Sequence, residues 1–353
     1  MTPEELVRPE ILALKAYHVA DAAGMVKLDA MENPYPLPQA LARELAERLA
    51  RVEINRYPDP RAPRLRARLA QSMRIPAGCE LVLGNGSDDL IQIVTFALAR
   101  PGAVMLSVEP TFVMYRMNAS LAGMRFVGVP LRPDLELDLE ATLAAIDEHR
   151  PALVFLAYPN NPTGVLYDEA QVERIVRAAP GLVVVDEAYH VYAQRSFLPR
   201  LAQFDNLAVM RTVSKMSLAG LRLGYLVARP AWAAQLDKVR QVYNVNALTQ
   251  VAAEFALEHL EVLEEQAARV LAERPRVGAA LAELPGVTVF PSQANFFLVR
   301  VPDAGRAYEA LRRQGVLVRS FDGSHPMLAN CLRITVGTPE ENRILLTALR
   351  EAL

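Results

Sequence analysis

The sequence predicts an α/β protein with a large, mainly parallel sheet, helices on both of its faces, and a smaller α+β region after it. Two observations carry this prediction. Apolar runs alternate with helix-like segments from about residue 80 to residue 245, which is typical of a parallel sheet. The run at 182–185 consists of four apolar residues, as expected for a strand buried on both faces. We therefore expect an N-terminal arm at 1–30, a large domain at 31–245 and a small domain at 246–353.

The N-terminal part contains a few short elements. Within the arm, a helix-like segment is expected at 4–16, and residues 26–30 resemble a short strand. Residues 32–38 hold three prolines, so they form either a linker or a rigid loop beside a site. Leucines at helical spacing then predict a helix at 39–51 and another around 65–69.

The remaining elements follow from the periodicity of apolar residues. Strands of the large sheet are predicted at 81–83, 104–106, 126–129, 153–156, 182–185, 207–210 and 224–227. One helix is predicted after the strand at 81–83, ending at 99, and another after the strand at 104–106, ending at 121. Further helices are predicted at 139–149, 171–178, 232–242 and 248–284, and Pro275 should kink or break the last of them. The small domain is expected to have strands at 287–290, 296–299, 316–318 and 332–336, and helices at 304–314 and 339–352.

Composition and charge exclude several classes of protein. The chain has 353 residues, of which 52% are hydrophobic and 22% charged, as in ordinary globular enzymes. The net charge of −2 gives no reason to expect nucleic acid or an anionic membrane as a partner. Two cysteines make no disulfide framework, and the Cys and His residues lack zinc-site spacing, so no metal is expected. Without a signal-like N-terminus or a long apolar run, we expect a soluble, cytoplasmic protein.

A lysine and a carboxylate stand where two successive strands of the predicted sheet end. Asp186 follows the buried run at 182–185, and Lys215 follows the predicted strand at 207–210. Open α/β sheets bind their ligands at the carboxyl ends of the strands. A pyridoxal phosphate site requires a lysine for the Schiff base and a carboxylate for the pyridinium nitrogen. Either motif alone is more often a surface dipeptide or a strand end, whereas their order and spacing favour the site.

A glycine-rich turn, Gly84-Asn85-Gly86-Ser87-Asp88, joins a predicted strand to a predicted helix. The backbone N–H groups at such a helix start can bind a phosphate. Alternatively, Ser87 or Asp88 only caps the helix. Because the turn matches neither a Walker loop nor a dinucleotide fingerprint, it is a weak signal by itself.

Taken together, these motifs resemble those of the fold-type I pyridoxal phosphate enzymes, and among them the histidinol-phosphate aminotransferase family. The resemblance runs nearly from end to end. It rests on Leu28-Asp29-Ala30, Glu32-Asn33-Pro34-Tyr35, Arg56-Tyr57-Pro58, Gly84 to Asp88, Pro159-Asn160-Asn161-Pro162-Thr163-Gly164, Asp186-Glu187-Ala188-Tyr189, Ser214-Lys215 to Arg222, and Cys331 to Thr338. It implies pyridoxal 5'-phosphate as cofactor and transamination of L-histidinol phosphate with 2-oxoglutarate, in histidine biosynthesis.

The resemblance also implies roles for individual residues. Lys215 corresponds to the Schiff-base lysine and proton shuttle, and Asp186 to the partner of the pyridinium. Asn161 and Tyr189 correspond to the hydrogen-bond partners of the ring's phenolic oxygen, and Phe112 stands where the family usually has a stacking tyrosine. The phosphate cup corresponds to Gly86, Ser87, Asp88, Thr212, Ser214 and Arg222. Tyr57 is similar to the tyrosine that reaches the phosphate from the other subunit, which implies a homodimer.

Substrate binding is implied for a further set of residues. Arg333 matches the family's arginine for the substrate anion, while Arg319 and Tyr17 match neighbours that help to bind a phosphate. A lone arginine on a strand is otherwise more often a surface residue. Asn33 and Tyr243 are expected to complete the set.

Three other functions fit many of the same features. Met31 replaces an asparagine of the family, the loop after Lys215 is one residue shorter than in many members, and Phe112 lacks a hydroxyl; these departures suit an aromatic amino acid aminotransferase. Arg333 and Arg319 would also suit a threonine-phosphate decarboxylase. A ligand-sensing regulator would need an attached basic helix-turn-helix domain, for which a chain that starts in the arm leaves no room.

Overall fold

The structure is a computed structural model that describes residues 1–14 and 20–353. Its strands are β1 (Val26–Lys27), β2 (Glu80–Gly84), β3 (Val104–Glu109), β4 (Arg125–Pro130), β5 (Leu153–Ala157), β6 (Leu182–Asp186), β7 (Leu207–Thr212), β8 (Gly224–Ala228), β9 (Thr288–Val289), β10 (Phe296–Arg300), β11 (Val316–Leu317), β12 (Arg319–Ser320) and β13 (Cys331–Thr335). Its α-helices are α1 (Pro3–Leu6), α2 (Pro9–Leu12), α3 (Gln39–Leu49), α4 (Pro63–Ser72), α5 (Ser87–Leu98), α6 (Met114–Leu121), α7 (Leu139–His149), α8 (Glu169–Ala178), α9 (His190–Ala193), α10 (Pro230–Val239), α11 (Ala247–Glu258), α12 (Leu260–Ala282), α13 (Ala304–Arg313) and α14 (Pro339–Ala352).

A seven-stranded sheet in the order β2-β8-β7-β6-β5-β3-β4 forms the centre of the molecule. Its strands are parallel except β8, which runs antiparallel to both neighbours. Every residue of β5, β6 and β7 is buried, because helices cover the sheet on both faces. The predicted mainly parallel sheet is therefore confirmed.

Alternate residues of each strand point to opposite faces of this sheet and feed two separate cores. Val154 and Leu156 of β5 pack in one apolar cluster, whereas Leu153 and Phe155 pack in the other. Burial on both faces explains why the strand sequences are unbroken apolar runs rather than alternating ones.

A four-stranded antiparallel sheet in the order β12-β13-β10-β9 forms with α13 and α14 a second layered unit. Its core contains Phe296, Ile334 and Leu345. Near the N-terminus, β1 pairs in parallel with β11, outside the four-stranded sheet. Residues 26–27 are thereby tied to the C-terminal part of the chain.

Two expectations about helices were wrong. Within the described residues, the predicted helix at 4–16 is replaced by the short helices α1 and α2. Arg8 lies in an extended conformation before Pro9, as expected for a residue that precedes proline. The helix predicted at 248–284 is broken at His259 and not at Pro275, and α12 runs through the proline. Val270 and Val277 are buried on either side of Pro275, so packing outweighs the lost hydrogen bond.

None of the helices in the described part of the chain is both long and apolar enough to cross a bilayer.

Candidate active site

A cavity with about 590 Å³ of empty space, part of it open to solvent, lies where β5, β6 and β7 end. Residues from seven separate stretches of the chain converge on it. The lining consists of Met31, Ser87, Asp88, Phe112, Tyr115, Ala157, Pro159, Asn161, Asp186, Ala188, Tyr189, Thr212, Ser214, Lys215 and Arg222. The structure thus brings the lysine and the carboxylate singled out in the sequence to one place.

Asp186 is the last residue of β6 and its side chain is buried. Its Oδ2 accepts a hydrogen bond from the Tyr115 hydroxyl at 2.7 Å, and its Oδ1 accepts one from the Ala188 N–H at 3.1 Å. Burial raises the pKa of Asp186 to about 7, although both hydrogen bonds act in the opposite direction. A cationic partner at this carboxylate would restore its charge.

Lys215 follows β7 and projects into the same cavity. Its Nζ donates to the Ala30 carbonyl at 2.9 Å and lies 5.9 Å from the centre of the Tyr189 ring. Burial, and then the positive charge of Arg333, lower the pKa of Lys215 to about 8. About a tenth of the amine is therefore neutral and nucleophilic at pH 7, far more than for a lysine in water.

Tyr189 and Met31 form one wall of the cavity. The Tyr189 hydroxyl donates to the Met31 Sδ at 3.1 Å, and burial raises the pKa of this phenol above its usual range. The Met31 backbone has a φ of 54° and is held on both sides: its N–H donates to Thr335 Oγ1, and its carbonyl accepts from Asn295. The methionine noted as a departure from the family thus contacts a predicted site residue directly.

Arg333 lies just behind the cavity, in the middle of β13. Its Nη1 donates to Asn161 Oδ1 at 2.6 Å and its Nη2 to the Asp29 carbonyl at 2.7 Å. Arg319 of β12 is its direct cross-strand neighbour in the ladder with β13. Strand pairing therefore brings together the two arginines that the family resemblance assigns to substrate binding.

The glycine-rich turn and Arg222 form one rim of the cavity. Gly86 has a φ of 88°, a backbone conformation that favours glycine, and a Cβ there would lie 2.8 Å from Arg222 Nη2, which shows how close the guanidinium is to the turn. Arg222 Nη2 also lies 3.4 Å from Asp88 Oδ2. Neither Ser87 nor Asp88 caps α5; Asp89 accepts from the Asn85 N–H instead. The alternative that the turn serves only as a side-chain cap through Ser87 or Asp88 is therefore wrong.

Two hydroxyl groups face this rim from the end of β7. Thr212 Oγ1 lies 2.8 Å from Ser214 Oγ and 3.1 Å from the Leu223 carbonyl oxygen. Both side chains line the cavity together with Arg222. The set of groups at this end, hydroxyls, a guanidinium and a helix start, is suited to a phosphate.

Several predicted residues lie outside the cavity. Asn33 accepts from the Tyr35 N–H and lies 3.5 Å from the Tyr192 hydroxyl, which in turn donates to the Lys215 carbonyl. Tyr57 and Tyr243 stack on each other at 4.4 Å on the exposed surface. Tyr17 falls outside the described residues.

Sequence reasoning missed Tyr115. It lies three residues after Phe112, in the first turn of α6, and its ring contacts Phe112 edge-on at 5.7 Å. The spacing from Phe112 offered a signal, but the hydrogen bond to Asp186 depends on how α6 packs against the sheet, which the sequence alone does not determine.

Comparison with known proteins gives the family. The sequence pattern of the aminotransferases of class I and II matches residues 23–349. The chain belongs to this aminotransferase family. The aminotransferase is 58% identical to histidinol-phosphate aminotransferase 1 of Burkholderia lata, over 100% of this chain and 99% of the relative. It is 57% identical to histidinol-phosphate aminotransferase of Chromobacterium violaceum, over 99% of this chain and 98% of the relative.

A solved structure supports the same assignment. Histidinol-phosphate aminotransferase from Sinorhizobium meliloti, in complex with pyridoxal-5'-phosphate, is 28% identical to this aminotransferase, with a TM-score of 0.87. The match covers 98% of this chain and 97% of that chain. The predicted fold-type I architecture and the predicted family are confirmed.

Proposed function

We propose that the chain transfers the amino group of L-histidinol phosphate to 2-oxoglutarate, giving imidazole-acetol phosphate and glutamate, in histidine biosynthesis. The observation that carries this proposal is the convergence of Lys215 and Asp186 on one cavity. The whole-length identity to histidinol-phosphate aminotransferases supports the choice of substrate.

Pyridoxal 5'-phosphate fits the residues at this cavity. Asp186 is a buried carboxylate with a raised pKa, which a protonated ring nitrogen would satisfy. The rim at Gly86 is a narrow cradle beside a guanidinium, which suits the phosphate. When bound, this cofactor supplies a conjugated ring that draws electrons from the substrate's reacting carbon.

The roles of the protein groups follow from their positions. Lys215 would hold the cofactor covalently through its amine and, once displaced by the substrate's amine, would move the Cα proton. Asp186 would hold the proton of the ring nitrogen. Asn161 and Tyr189 would bind the phenolic oxygen, and Phe112 would pack against the ring.

Anion binding is divided between two ends of the site. Gly86, Ser87, Asp88, Thr212, Ser214 and Arg222 are proposed to hold the cofactor's phosphate. Arg333 and Arg319 are proposed to bind the substrate's phosphate in one half-reaction and a carboxylate of 2-oxoglutarate in the other. The proximity of Arg333 to Asn161 supports this placement. Tyr17, Asn33 and Tyr243 remain predicted substrate residues.

We further propose the predicted division into an arm at 1–30, a large domain at 31–245 and a small domain at 246–353. The pairing of β1 with β11 supports an arm that packs with the small domain. We also propose a homodimer in which Tyr57 reaches the partner's cofactor phosphate, and a cytoplasmic location. The exposure of Tyr57, Tyr243 and Val242 on one surface supports the dimer.

Product analysis tests the proposed reaction. The purified protein, supplied with the cofactor, is incubated with histidinol phosphate and 2-oxoglutarate, and glutamate and imidazole-acetol phosphate are quantified. We expect equal amounts of the two products and no carbon dioxide. Faster turnover of phenylalanine than of histidinol phosphate would contradict the substrate, and release of carbon dioxide from threonine phosphate would contradict the reaction.

A further inference from the structure

Tyr115 is fully buried beside Asp186, and both residues line the cavity. Its hydroxyl donates to Asp186 Oδ2 at 2.7 Å, and neither side chain is more than 4% exposed. The Tyr115 ring stacks on Phe155 of β5, with centroids 4.6 Å apart and planes within 6°. Phe112 packs on its edge. The Tyr115 ring is therefore packed by two aromatic neighbours, and this packing fixes the position of its hydroxyl.

We propose that Tyr115 is a positioning residue, which orients the Asp186 carboxylate and keeps it ionised for the protonated ring nitrogen of the cofactor. The inference rests on the proposed function, because it requires pyridoxal phosphate in this cavity. Two donors, Tyr115 at one oxygen and the Ala188 N–H at the other, prevent rotation of the carboxylate. A carboxylate can accept about four hydrogen bonds, so acceptor positions remain for the cofactor.

The protonation states agree with this role. Burial, together with the charge of Asp186, raises the pKa of the Tyr115 phenol well above its usual range, so the phenol remains a donor at physiological pH. Hydrogen bonding from Tyr115 lowers the pKa of Asp186 against the opposing effect of burial. Loss of the hydroxyl should therefore raise the pKa of Asp186, so that its ionised form is reached only at higher pH.

Other titratable or charged groups near Asp186 stay in place when only the Tyr115 hydroxyl is removed. They come from the start of α5, the segment after β6, and the segments after β7: Asp88, Glu187, Tyr189, Lys215 and Arg222. The negative charges of Asp88 and Glu187 act to raise the pKa of Asp186 in the wild type and in the variant alike. A change between the two proteins therefore reports on the hydroxyl.

The test compares Tyr115→Phe with a matched control, Tyr167→Phe. Tyr167 is equally buried, and its hydroxyl has no hydrogen-bond partner within residues 1–14 and 20–353. Both variants keep the ring and lose one buried hydroxyl. Each protein is loaded with cofactor labelled with ¹⁵N in the ring, and the ¹⁵N shift and the cofactor Kd are followed from pH 5.5 to pH 9.

For Tyr115→Phe, we expect two changes to occur at a different pH than in the wild type. One is the transition from protonated to neutral ring nitrogen, and the other is the weakening of cofactor binding at acid pH. Because a hydrogen bond to a charged group is involved, the acid limb should shift upward by about one to two pH units. Tyr167→Phe should follow the wild type. If Tyr115→Phe does not fold, Tyr115→Met, which fills the space without a strong donor, carries the same expectation.

A double-mutant comparison separates this role from packing. In an Asp186→Asn background there is no charge to stabilise, so the change in cofactor Kd caused by Tyr115→Phe should disappear. An unchanged effect in that background, or a Tyr115→Phe profile equal to that of Tyr167→Phe, would overturn the inference while leaving the proposed function intact. A wild-type protein that fails to bind the cofactor would overturn both.

Discussion

Individual residues in the cavity have protonation states that differ from those in water, and Lys215 is the most consequential. Its pKa of about 8 results from burial and from the charge of Arg333. The rate at which cofactor-free protein captures pyridoxal phosphate should therefore rise with pH around a midpoint near 8, because only the neutral amine attacks. The measurement is the growth of the visible absorption of the bound cofactor across pH 6–10.

Two variants sharpen this prediction. Arg333→Gln removes a neighbouring positive charge and should move the midpoint to higher pH. Lys215→Ala should abolish both the covalent attachment and turnover, because the attaching and proton-moving group is lost. A wild-type midpoint above pH 10, or appreciable turnover by Lys215→Ala, would contradict the role given to this lysine.

Asp186 should make the cofactor-free protein less stable at high pH. Because its folded pKa is raised, the folded protein binds a proton that the unfolded chain does not, and this contribution to stability is lost as the pH rises through about 7. The loss accumulates from about pH 4 up to the folded pKa, so the gain in free energy of unfolding caused by Asp186→Asn should be about 2–3 kcal/mol larger at pH 9 than at pH 5. Urea unfolding at the two pH values checks this.

The same variant should bind the cofactor more weakly, because an amide does not stabilise a pyridinium. A cofactor-free Asp186→Asn protein that is less stable than the wild type at both pH values would show that burial of the carboxylate is not costly.

A buried ion pair joins the end of β6 to β7 and should stabilise the fold. Glu187 follows β6 directly, and Arg211 of β7 reaches its Oε2 through Nε at 2.9 Å. Both side chains are less than a tenth exposed. Glu187→Gln would leave Arg211 as a buried, uncompensated charge, and should lower the free energy of unfolding by roughly 3–5 kcal/mol.

An exposed pair provides the control. Asp134 contacts Arg132 at 2.8 Å on the surface, and Asp134→Asn should leave stability nearly unchanged, because solvent screens that pair. Urea unfolding of the cofactor-free proteins compares the two. Equal losses would show that the Glu187–Arg211 pair has no special importance for joining the strands that hold Asp186 and Lys215.

The bounds of strands and helices were predicted best where every residue of an element is buried. The strands β5, β6 and β7 were predicted to within two residues, because apolar runs need no tertiary information to be read. The helix break was misplaced to Pro275, since packing around Val270 and Val277 is decided by distant parts of the chain. For the same reason Tyr115 was missed, although its neighbour Phe112 was found. The cross-strand pairing of Arg319 with Arg333 likewise appears only when register is known.

The whole molecule is proposed to work as a dimer, since Tyr57 lies on the surface, stacked on Tyr243, rather than in the cavity of its own chain. Mixing two defective variants tests this: Lys215→Ala should have no turnover, and Tyr57→Ala should have low activity because one contact to the cofactor phosphate is lost. In a hybrid of Lys215→Ala with Tyr57→Ala, one site has both defects, and the other has an intact Lys215 and receives Tyr57 from the partner subunit. We expect activity to return after the two proteins are mixed and allowed to exchange subunits.

The two parent variants, each alone, provide the baseline for that recovery. Activity that stays at the sum of the parents despite proven subunit exchange would mean that Tyr57 serves its own chain. Monomers in solution, at concentrations where the enzyme is fully active, would contradict the dimer itself.

A single half-reaction shows which amine the cavity accepts. The cofactor-loaded enzyme is mixed separately with histidinol phosphate, phenylalanine and threonine phosphate, and the visible absorption of the bound cofactor is followed while carbon dioxide is assayed. We predict rapid loss of the visible band with histidinol phosphate, and its return when 2-oxoglutarate is added. Loss mainly with phenylalanine, or carbon dioxide released from threonine phosphate, would contradict the proposed function.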